Sequence, residues 1–233
     1  PGIILSRDAD AWIREEQIDD VALPLYQGGV LSHFSPFAQG FAGGSGHSVK
    51  WEPIPLSNSR MEPQYLISYS AALDKGWQPT RARVLYRYIG SDTNSRTFIP
   101  TPGYASPAGH TVGVLHLKNQ LQEILLLASV LGSFCFDWCV RIGFSGNGAG
   151  ALDPSKIADR PVIKNIPRGA ASHVLRLAGI ACSLSDWWIS CSSSFENMPQ
   201  LKQIWALANS ERIRLMSCID VLVARCYGAD NSF

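Results

Sequence analysis

Residues 81–100 read RARVLYRYIGSDTNSRTFIP, and the pairing of this stretch sets the layout of the first half of the chain. Its first part, Arg81–Ile89, is rich in β-branched and aromatic residues and predicts a strand. A cluster of turn formers, Gly90–Ser95, interrupts that strand. The chain resumes as Arg96–Ile99 and stops at Pro100. We therefore predict a β-hairpin with a polar tip.

The predicted hairpin is locally basic. It holds four arginines and a single acid, Asp92, in a chain whose net charge is only +1. A local excess of cations is typical of a surface that meets phosphates or base edges. It is equally typical of a solvated strand face whose arginines pair with acids elsewhere. Composition alone leaves both interpretations open.

Length and composition indicate a folded globular protein. The 233 residues, of which 46% are apolar and 17% charged, suffice for one large domain or two small ones. Six cysteines form no CxxC pair and have no histidine at metal-ligand spacing, so we predict no metal site and a reducing cytoplasm. The longest apolar run, Ile124–Phe136, is too short to span a bilayer, so we predict no membrane partner. The start lacks an initiator Met, and we expect a fragment of a longer protein.

The first half is predicted to be β-rich. Ser6–Asp20 holds six acids around three apolar residues and predicts a short amphipathic helix. Val21–Phe34 is predicted to be extended, and the glycine-rich Ser35–Gly46 to be a mobile loop. Gln64–Tyr69 and Thr111–Leu117 are further strand candidates.

The second half is predicted to be helical. Asn119–Ile142 carries an apolar stripe at helical spacing and predicts a central core helix. Further helical periodicity runs over Ala171–Ser190 and Leu201–Tyr227, and Asp153–Ile157 predicts a helical turn. This order favours an α+β fold, with a β-rich part at 1–118 and a helical part at 119–233 packed as one unit.

The motifs of several enzyme classes are missing from the sequence. It contains no P-loop, no HExxH, no GxSxG, and no Asn/Asp-Pro-Pro-Tyr tetrapeptide of an amino-methyltransferase. The five histidines are scattered singly. Asp153 and Lys156 have the spacing of a helix N-cap with a nearby charge. On its own residues the chain is predicted not to be an enzyme.

Five segments, taken in order, resemble a known family. They are similar to the C-terminal specificity region of large single-chain N6-adenine DNA methyltransferases, found in type IIG-like restriction–modification systems and in BREX phage-defence loci. The predicted hairpin and the last segment are the most specific of the five. The segments are Leu23–Phe34, Arg87–Pro100, Leu125–Arg141, Val162–Pro167 and Glu211–Gly228. The chain departs from the family pattern at Gly90, Ser91 and Gly132.

The resemblance implies a target recognition domain that binds double-stranded DNA and reads a short sequence. The chain itself would hold no cofactor, because S-adenosylmethionine and the chemistry would belong to a separate N-terminal methyltransferase domain of the same protein. Arginine can donate to guanine or phosphate and asparagine can pair with adenine in the major groove. The residues we expect to contact DNA are Arg83, Arg87, Asn94, Arg96, Lys156 and Lys164. Because the resemblance implies that the family shares the hairpin across different recognition sites, the hairpin is expected to support the DNA-facing surface or grip the backbone, with bases read by neighbouring loops.

Two other classes of function stay open at this point. One is a protein-interaction domain that docks other subunits of a defence complex without touching DNA. The other is a carbohydrate- or ligand-binding module, suggested by seven tryptophans. Four of these tryptophans fall in predicted helical segments, where packing is the expected role: Trp138, Trp187, Trp188 and Trp205.

Overall fold

The computed structural model describes residues 21–78, 82–103, 106–117, 121–143, 148–161, 163, 165–192 and 205–229. Its strands lie mostly in the first half and its helices in the second, so the predicted α+β class is confirmed. The predicted helix at Ser6–Asp20 lies outside the described residues.

Strand β5 (Arg83–Arg87) is the middle of a three-stranded antiparallel sheet, between β7 (Pro100–Gly103) and β8 (Val112–Leu115). Val84, Leu85 and Tyr86 are all fully buried. Both faces of the strand are therefore covered, which is why its sequence is a continuous apolar run without alternation.

Three two-stranded antiparallel pairs surround this sheet. Strand β1 (Ala22–Pro24) pairs with β4 (Leu66–Ser68), and β2 (Gln39–Gly43) pairs with β3 (Lys50–Pro53). The third pair, β6 (Ile89–Ser91) with β9 (Ala149–Ala151), joins the two halves of the chain.

The described part of the chain contains seven α-helices, six of them in its second half. They are α1 (Tyr69–Asp74), α2 (Leu121–Leu131), α3 (Phe134–Ile142), α4 (Pro154–Ala158), α5 (Gly169–Ala178), α6 (Ser185–Ser192) and α7 (Asn209–Cys226). Helix α2 packs against β5 and β7 on one side and against α5 and α7 on the other. Its buried residues Ile124, Leu125 and Ala128 belong to the predicted apolar stripe. One hydrophobic core therefore extends across both halves of the chain.

The predicted hairpin is corrected in its second strand. The returning strand is β7, which begins at Pro100, whereas the prediction placed it at Arg96–Ile99. After Arg87 the chain leaves the central sheet to form β6 with β9, makes a turn, and reaches β7 through Arg96–Ile99. Sequence pattern could not locate this detour, because β6 needs a partner strand from the other half of the chain.

The predicted single helix Asn119–Ile142 is also wrong, since α2 and α3 meet at a bend of 58°. Ser133 caps α3 by accepting a hydrogen bond from the Phe136 backbone N–H at 3.2 Å. A Cβ added at Gly132 would lie only 2.3 Å from the Phe34 ring. At the bend, Ser133 caps the start of α3, and Gly132 leaves room for the Phe34 ring.

Other boundaries differ from the predictions as well. The predicted loop Ser35–Gly46 contains β2, and the predicted helix Ala171–Ser190 is divided into α5 and α6 by a short 3-10 turn. Helix α1 was not predicted. In the parts of the chain that the structure describes, no single helix is long and apolar enough to cross a membrane, and α2 with α3 reaches that length only across their bend.

Candidate functional site

The tip loop, Asp92–Ser95, is the most exposed part of the segment that carries the family resemblance. Thr93, Asn94 and Ser95 are all exposed. The backbone of the loop is nevertheless fixed: Arg141 of α3 donates to the carbonyl oxygens of Asp92 and Asn94, both at 2.8 Å. The Asp92 N–H also donates to the Gly148 carbonyl at 3.2 Å. The loop therefore presents hydroxyl and amide side chains from a held backbone.

Arg96 fastens the end of the tip loop to two helices. Its guanidinium pairs with Asp220 of α7 at 3.0 Å and lies 5.3 Å from the centre of the Phe134 ring at the start of α3. The second oxygen of Asp220 accepts the Phe134 backbone N–H at 2.6 Å. One carboxylate therefore caps α3 and binds Arg96, which leaves the Arg96 side chain only 18% exposed.

Arg87 and Arg83 are used inside the protein. Arg87 donates through Nε, at 2.9 Å, and through Nη2 to the Leu31 carbonyl. Arg83 is only 3% exposed and donates to the Ser106 carbonyl at 2.7 Å. Burial lowers the pKa of both guanidinium groups. Both guanidinium groups, which we expected to contact DNA, therefore donate to backbone carbonyls of the chain.

The three remaining predicted contact residues are separated from these arginines. Asn94 stands exposed on the tip loop. Lys156 is also exposed, and its ammonium donates to the Ala151 carbonyl at 3.0 Å, at the opposite end of the β6–β9 pair from the tip loop. Lys164 lies outside the described residues. The two described residues that remain available at the surface are Asn94 and Lys156.

A cleft of about 600 Å³ opens beside the tip loop, between the first half of the chain and α7. Its polar wall includes Ser95, Arg96, Asp220, His33 and Arg212. The sequence prediction did not include His33 or Arg212. Each is marked by a hydrogen bond to the backbone carbonyl of a residue far along the chain, and such a bond is not visible in the sequence. Arg212 donates to the Leu177 carbonyl at 2.8 Å.

His33 is held neutral at the edge of this cleft. Its Nε2 lies 2.7 Å from the Gly132 carbonyl. Because a carbonyl can only accept, Nε2 must carry the proton. Burial, and then the nearby Arg96 charge, lower the pKa of His33 from 6.5 to about 4. The ring therefore joins the first half of the chain to the bend between α2 and α3.

Four of the five resembling segments meet around this cleft. Each is tied to another by a side chain that binds a backbone carbonyl or a carboxylate. These ties are Arg87 to Leu31, His33 to Gly132, Arg96 to Asp220, Arg141 to Asn94 and Arg212 to Phe34. The remaining segment, Val162–Pro167, is only partly covered by the described residues. The resemblance thus falls largely on residues that hold the tip loop and the cleft together.

A further tie supports α3 below the tip loop. Asp137 is only 2% exposed, and its Oδ1 accepts the Phe98 backbone N–H at 2.7 Å. Its other oxygen is 3.4 Å from Arg141. The carboxylate therefore orients the arginine that holds the tip loop.

Comparisons of the chain with protein-family models, with curated proteins and with solved structures found no match. Within the described ranges, no group of three or more His, Cys, Asp or Glu side chains is placed to hold a metal ion.

The tryptophans divide into two groups. Trp187 is buried, and the Trp188 indole donates to the Gly179 carbonyl at 2.8 Å, as expected for packing residues. Trp138 on α3 and Trp205, which lies outside α7, are each about half exposed. The expectation that helical tryptophans pack is therefore wrong for these two.

Proposed function

We propose that the chain is the sequence-reading module of a larger adenine-specific DNA methyltransferase or restriction enzyme, and that it binds double-stranded DNA through the tip loop. In this proposal a separate domain of the same protein binds S-adenosylmethionine and performs the methylation. The observation that carries the proposal is the tip loop itself, whose exposed polar side chains stand on a backbone held by Arg141.

A held loop suits sequence recognition for a physical reason. A side chain on a fixed backbone loses little conformational freedom on binding, so more of its interaction energy appears as affinity. Asn94 carries the donor and acceptor that can pair with adenine in the major groove, so this proposal gives base reading to the tip loop itself, where the family resemblance led us to expect neighbouring loops. Thr93 and Ser95 flank it with hydroxyl groups that can bond to bases or phosphates.

The arginines of the segment take a supporting role in this proposal. Arg87 and Arg96 fix the strand before the loop and the residue after it, so they set where Asn94 stands. We predicted two lysines to contact DNA, and the structure describes one of them, Lys156. Its side chain is exposed and can bind a phosphate. Its contribution would be independent of sequence and sensitive to salt.

The test is selection of bound duplexes from a pool with a randomised centre, followed by binding measurements at several salt concentrations. We expect the wild-type chain to enrich a short motif. Asn94→Ala should relax one position of that motif, at a cost of about 1–3 kcal/mol in discrimination. Lys156→Ala should weaken binding to all duplexes and reduce the salt slope by about one.

Lys50→Ala is the matched control, because Lys50 is an exposed lysine of β3, outside the tip loop. It should change neither the motif nor the affinity. If the wild-type chain enriches no motif and binds duplex DNA no more tightly at low salt than at high salt, the proposal is wrong.

A second candidate is docking of another protein, and one observation favours it. Phe134, Trp138 and Ile142 are each more than half exposed and recur one helical turn apart along α3. Such a stripe is typical of a surface that another protein covers. If docking other subunits of a defence complex is the main role, Trp138→Asp should abolish that association. If the chain reads DNA instead, Trp138→Asp should leave its duplex selection unchanged.

A further inference from the structure

A second cavity, of about 200 Å³, lies away from the cleft, beside the first residue of β5. Its polar wall is formed by Lys75, Trp77, Arg83 and His116. The rest of the wall is aliphatic, with Leu25 and Ile67 among its members. The volume is below the roughly 300–1,000 Å³ typical of drug-sized sites, so any ligand must be small.

Arg83 is the unusual member of this wall. Only 3% of it is exposed, and among the described residues its guanidinium donates to the Ser106 carbonyl. Its Nε has no partner among the described residues, and no described carboxylate forms an ion pair with it. Burial of an uncompensated guanidinium costs several kcal/mol.

Three segments outside the described residues begin or end within two residues of Trp77, Arg83, Pro107 or His116 in the sequence, and none of them carries an acid. These segments are 79–81, 104–105 and 118–120. The cavity wall contains no Asp or Glu either.

Lys75 and Trp77 also bring a positive charge or a hydrogen-bond donor to the cavity wall. Lys75 is exposed and contributes an ammonium group, and the Trp77 indole Nε1 is a buried donor without a partner among the described residues. His116 contributes an imidazole at the exposed side. Two cations and a donor-only indole in the absence of an acid give this cavity a positive potential.

We propose that this cavity binds a small oxyanion, either free phosphate or the carboxylate of a short organic acid. The ligand's charge would compensate Arg83, and the aliphatic wall would accommodate a short apolar body where the ligand has one. Lys75 would stabilise the same charge from the exposed side. This proposal is independent of DNA binding, because it uses none of the residues of the tip loop.

The experiment is a thermal-unfolding titration of the full chain with sodium phosphate and, separately, with sodium butyrate. Sodium chloride at matched ionic strength is the reference. A ligand that binds only the folded state raises Tm in proportion to the logarithm of its concentration once it exceeds the dissociation constant. We expect the wild-type Tm to rise with at least one of the two anions. If only one of the two anions raises Tm, that anion identifies the preferred class of ligand.

Arg83→Met is the decisive variant, because it keeps the length of the side chain and removes the charge. We expect it to fold, since an uncompensated buried charge is lost, and to show no Tm rise beyond that of sodium chloride. An equal rise in wild type and Arg83→Met overturns the proposal. So does the absence of any rise in the wild type, as would follow if a carboxylate of the chain itself fills the cavity.

Two milder variants decide the question if Arg83→Met does not fold. Lys75→Ala changes an exposed residue and should raise the apparent dissociation constant about two- to fivefold. Lys50→Ala, at an exposed lysine of β3 that is not part of the cavity wall, should leave it unchanged. Trp77 supplies an optical signal: anion binding should change the tryptophan emission of the wild type and not that of Trp77→Phe. Equal affinities for Lys75→Ala and Lys50→Ala, with no emission change, overturn the proposal.

Discussion

At the scale of single residues, the arginines around the tip loop bind acceptors of the chain itself, although arginine is also the residue that suits phosphate binding. A guanidinium has five N–H donors, and it binds a backbone carbonyl as readily as a phosphate. Arg87 binds Leu31, and Arg141 binds the tip loop. Nothing in the local sequence distinguishes these uses, because the acceptors are far away along the chain.

Arg87→Ala is expected to reduce stability. The change leaves the Leu31 carbonyl without the two bonds it accepts, in a residue that is fully buried. A buried acceptor left unpaired costs about 1–3 kcal/mol. At roughly 2–4 °C per kcal/mol for a chain of this size, Tm should fall by about 2–12 °C. Thermal unfolding followed by circular dichroism measures it.

The exposed Arg168 provides the control for that variant. Arg168→Ala should change Tm by no more than surface substitutions usually do, about 0.5 kcal/mol in stability. An Arg87→Ala protein with wild-type Tm and weakened DNA binding would mean that Arg87 contacts DNA directly.

His33 is expected to make stability depend on pH. Its pKa is lowered from 6.5 to about 4 in the folded protein, by burial and then by Arg96, so between these values the unfolded chain binds a proton that the folded chain does not. Stability should be constant above pH 6.5 and fall as the pH drops towards 4. The loss is at most about 3 kcal/mol, and smaller because one side of the ring faces the cleft.

Urea unfolding at several pH values between 7 and 4 measures this loss. His33→Gln keeps a donor for the Gly132 carbonyl and cannot titrate, so its stability should fall less than that of the wild type from pH 6.5 to 4.5. The slope that remains is expected from His173, whose pKa is also lowered by burial. Below pH 4.5, Glu211 also contributes, because the hydrogen bond from Arg214 lowers its pKa to about 2. An unchanged slope in His33→Gln would contradict the assignment.

At the scale of elements, the bend between α2 and α3 determines where the supporting groups stand. Helix α2 fills the core, whereas α3 turns aside and carries Asp137 and Arg141 to the tip loop. A straight helix through residues 119–142 would aim α3 along the axis of α2. The bend therefore gives one apolar run of sequence two different roles.

Gly132→Ala is expected to destabilise the bend. The new Cβ would lie 2.3 Å from the Phe34 ring, which is fully buried and cannot move freely. Overpacking of this kind costs about 1–3 kcal/mol, more than the gain of up to about 1 kcal/mol from replacing glycine in a helix. Denaturant unfolding measures the net loss.

Phe34→Leu is the matched partner for a double-mutant cycle. Shortening the ring should make room for the alanine, so the double variant should be more stable than the sum of the two single changes predicts. Additive effects would mean that Gly132 is required for some reason other than the contact with Phe34.

At the scale of the whole molecule, the two halves share one core. Helix α2 covers β5 and β7, and β9 completes the pair that begins with β6. Without the second half, Leu85 and Phe98 would lose the side chains that bury them. The division at residues 118 and 119 is therefore a change in secondary structure within one core.

We expect the full chain to unfold in a single transition, and neither 1–118 nor 119–233 to fold when produced alone. Coincident unfolding curves from far-ultraviolet and near-ultraviolet circular dichroism test the first expectation. Amide dispersion in the nuclear magnetic resonance spectra of the two fragments tests the second. A fragment with a cooperative transition of its own would show that the halves are separate domains.

The sequence by itself determined the features that depend on neighbours along the chain. The apolar stripe of α2, the strand at β5, the turn that becomes the tip loop and the helical turn at α4 follow from periodicity and turn chemistry over a few residues. The exposure of Asn94 follows from the same local signals.

Only the tertiary structure decided what the charged side chains do. Arg87 finds its acceptor 56 residues away, and Arg96 finds its partner 124 residues away. The strand β6 and the bend after α2 likewise depend on a distant strand and a distant ring. A cation in a sequence shows only that an acceptor is needed. Whether that acceptor is a carbonyl of the chain or a group on a ligand depends on which distant atoms folding brings within hydrogen-bond reach.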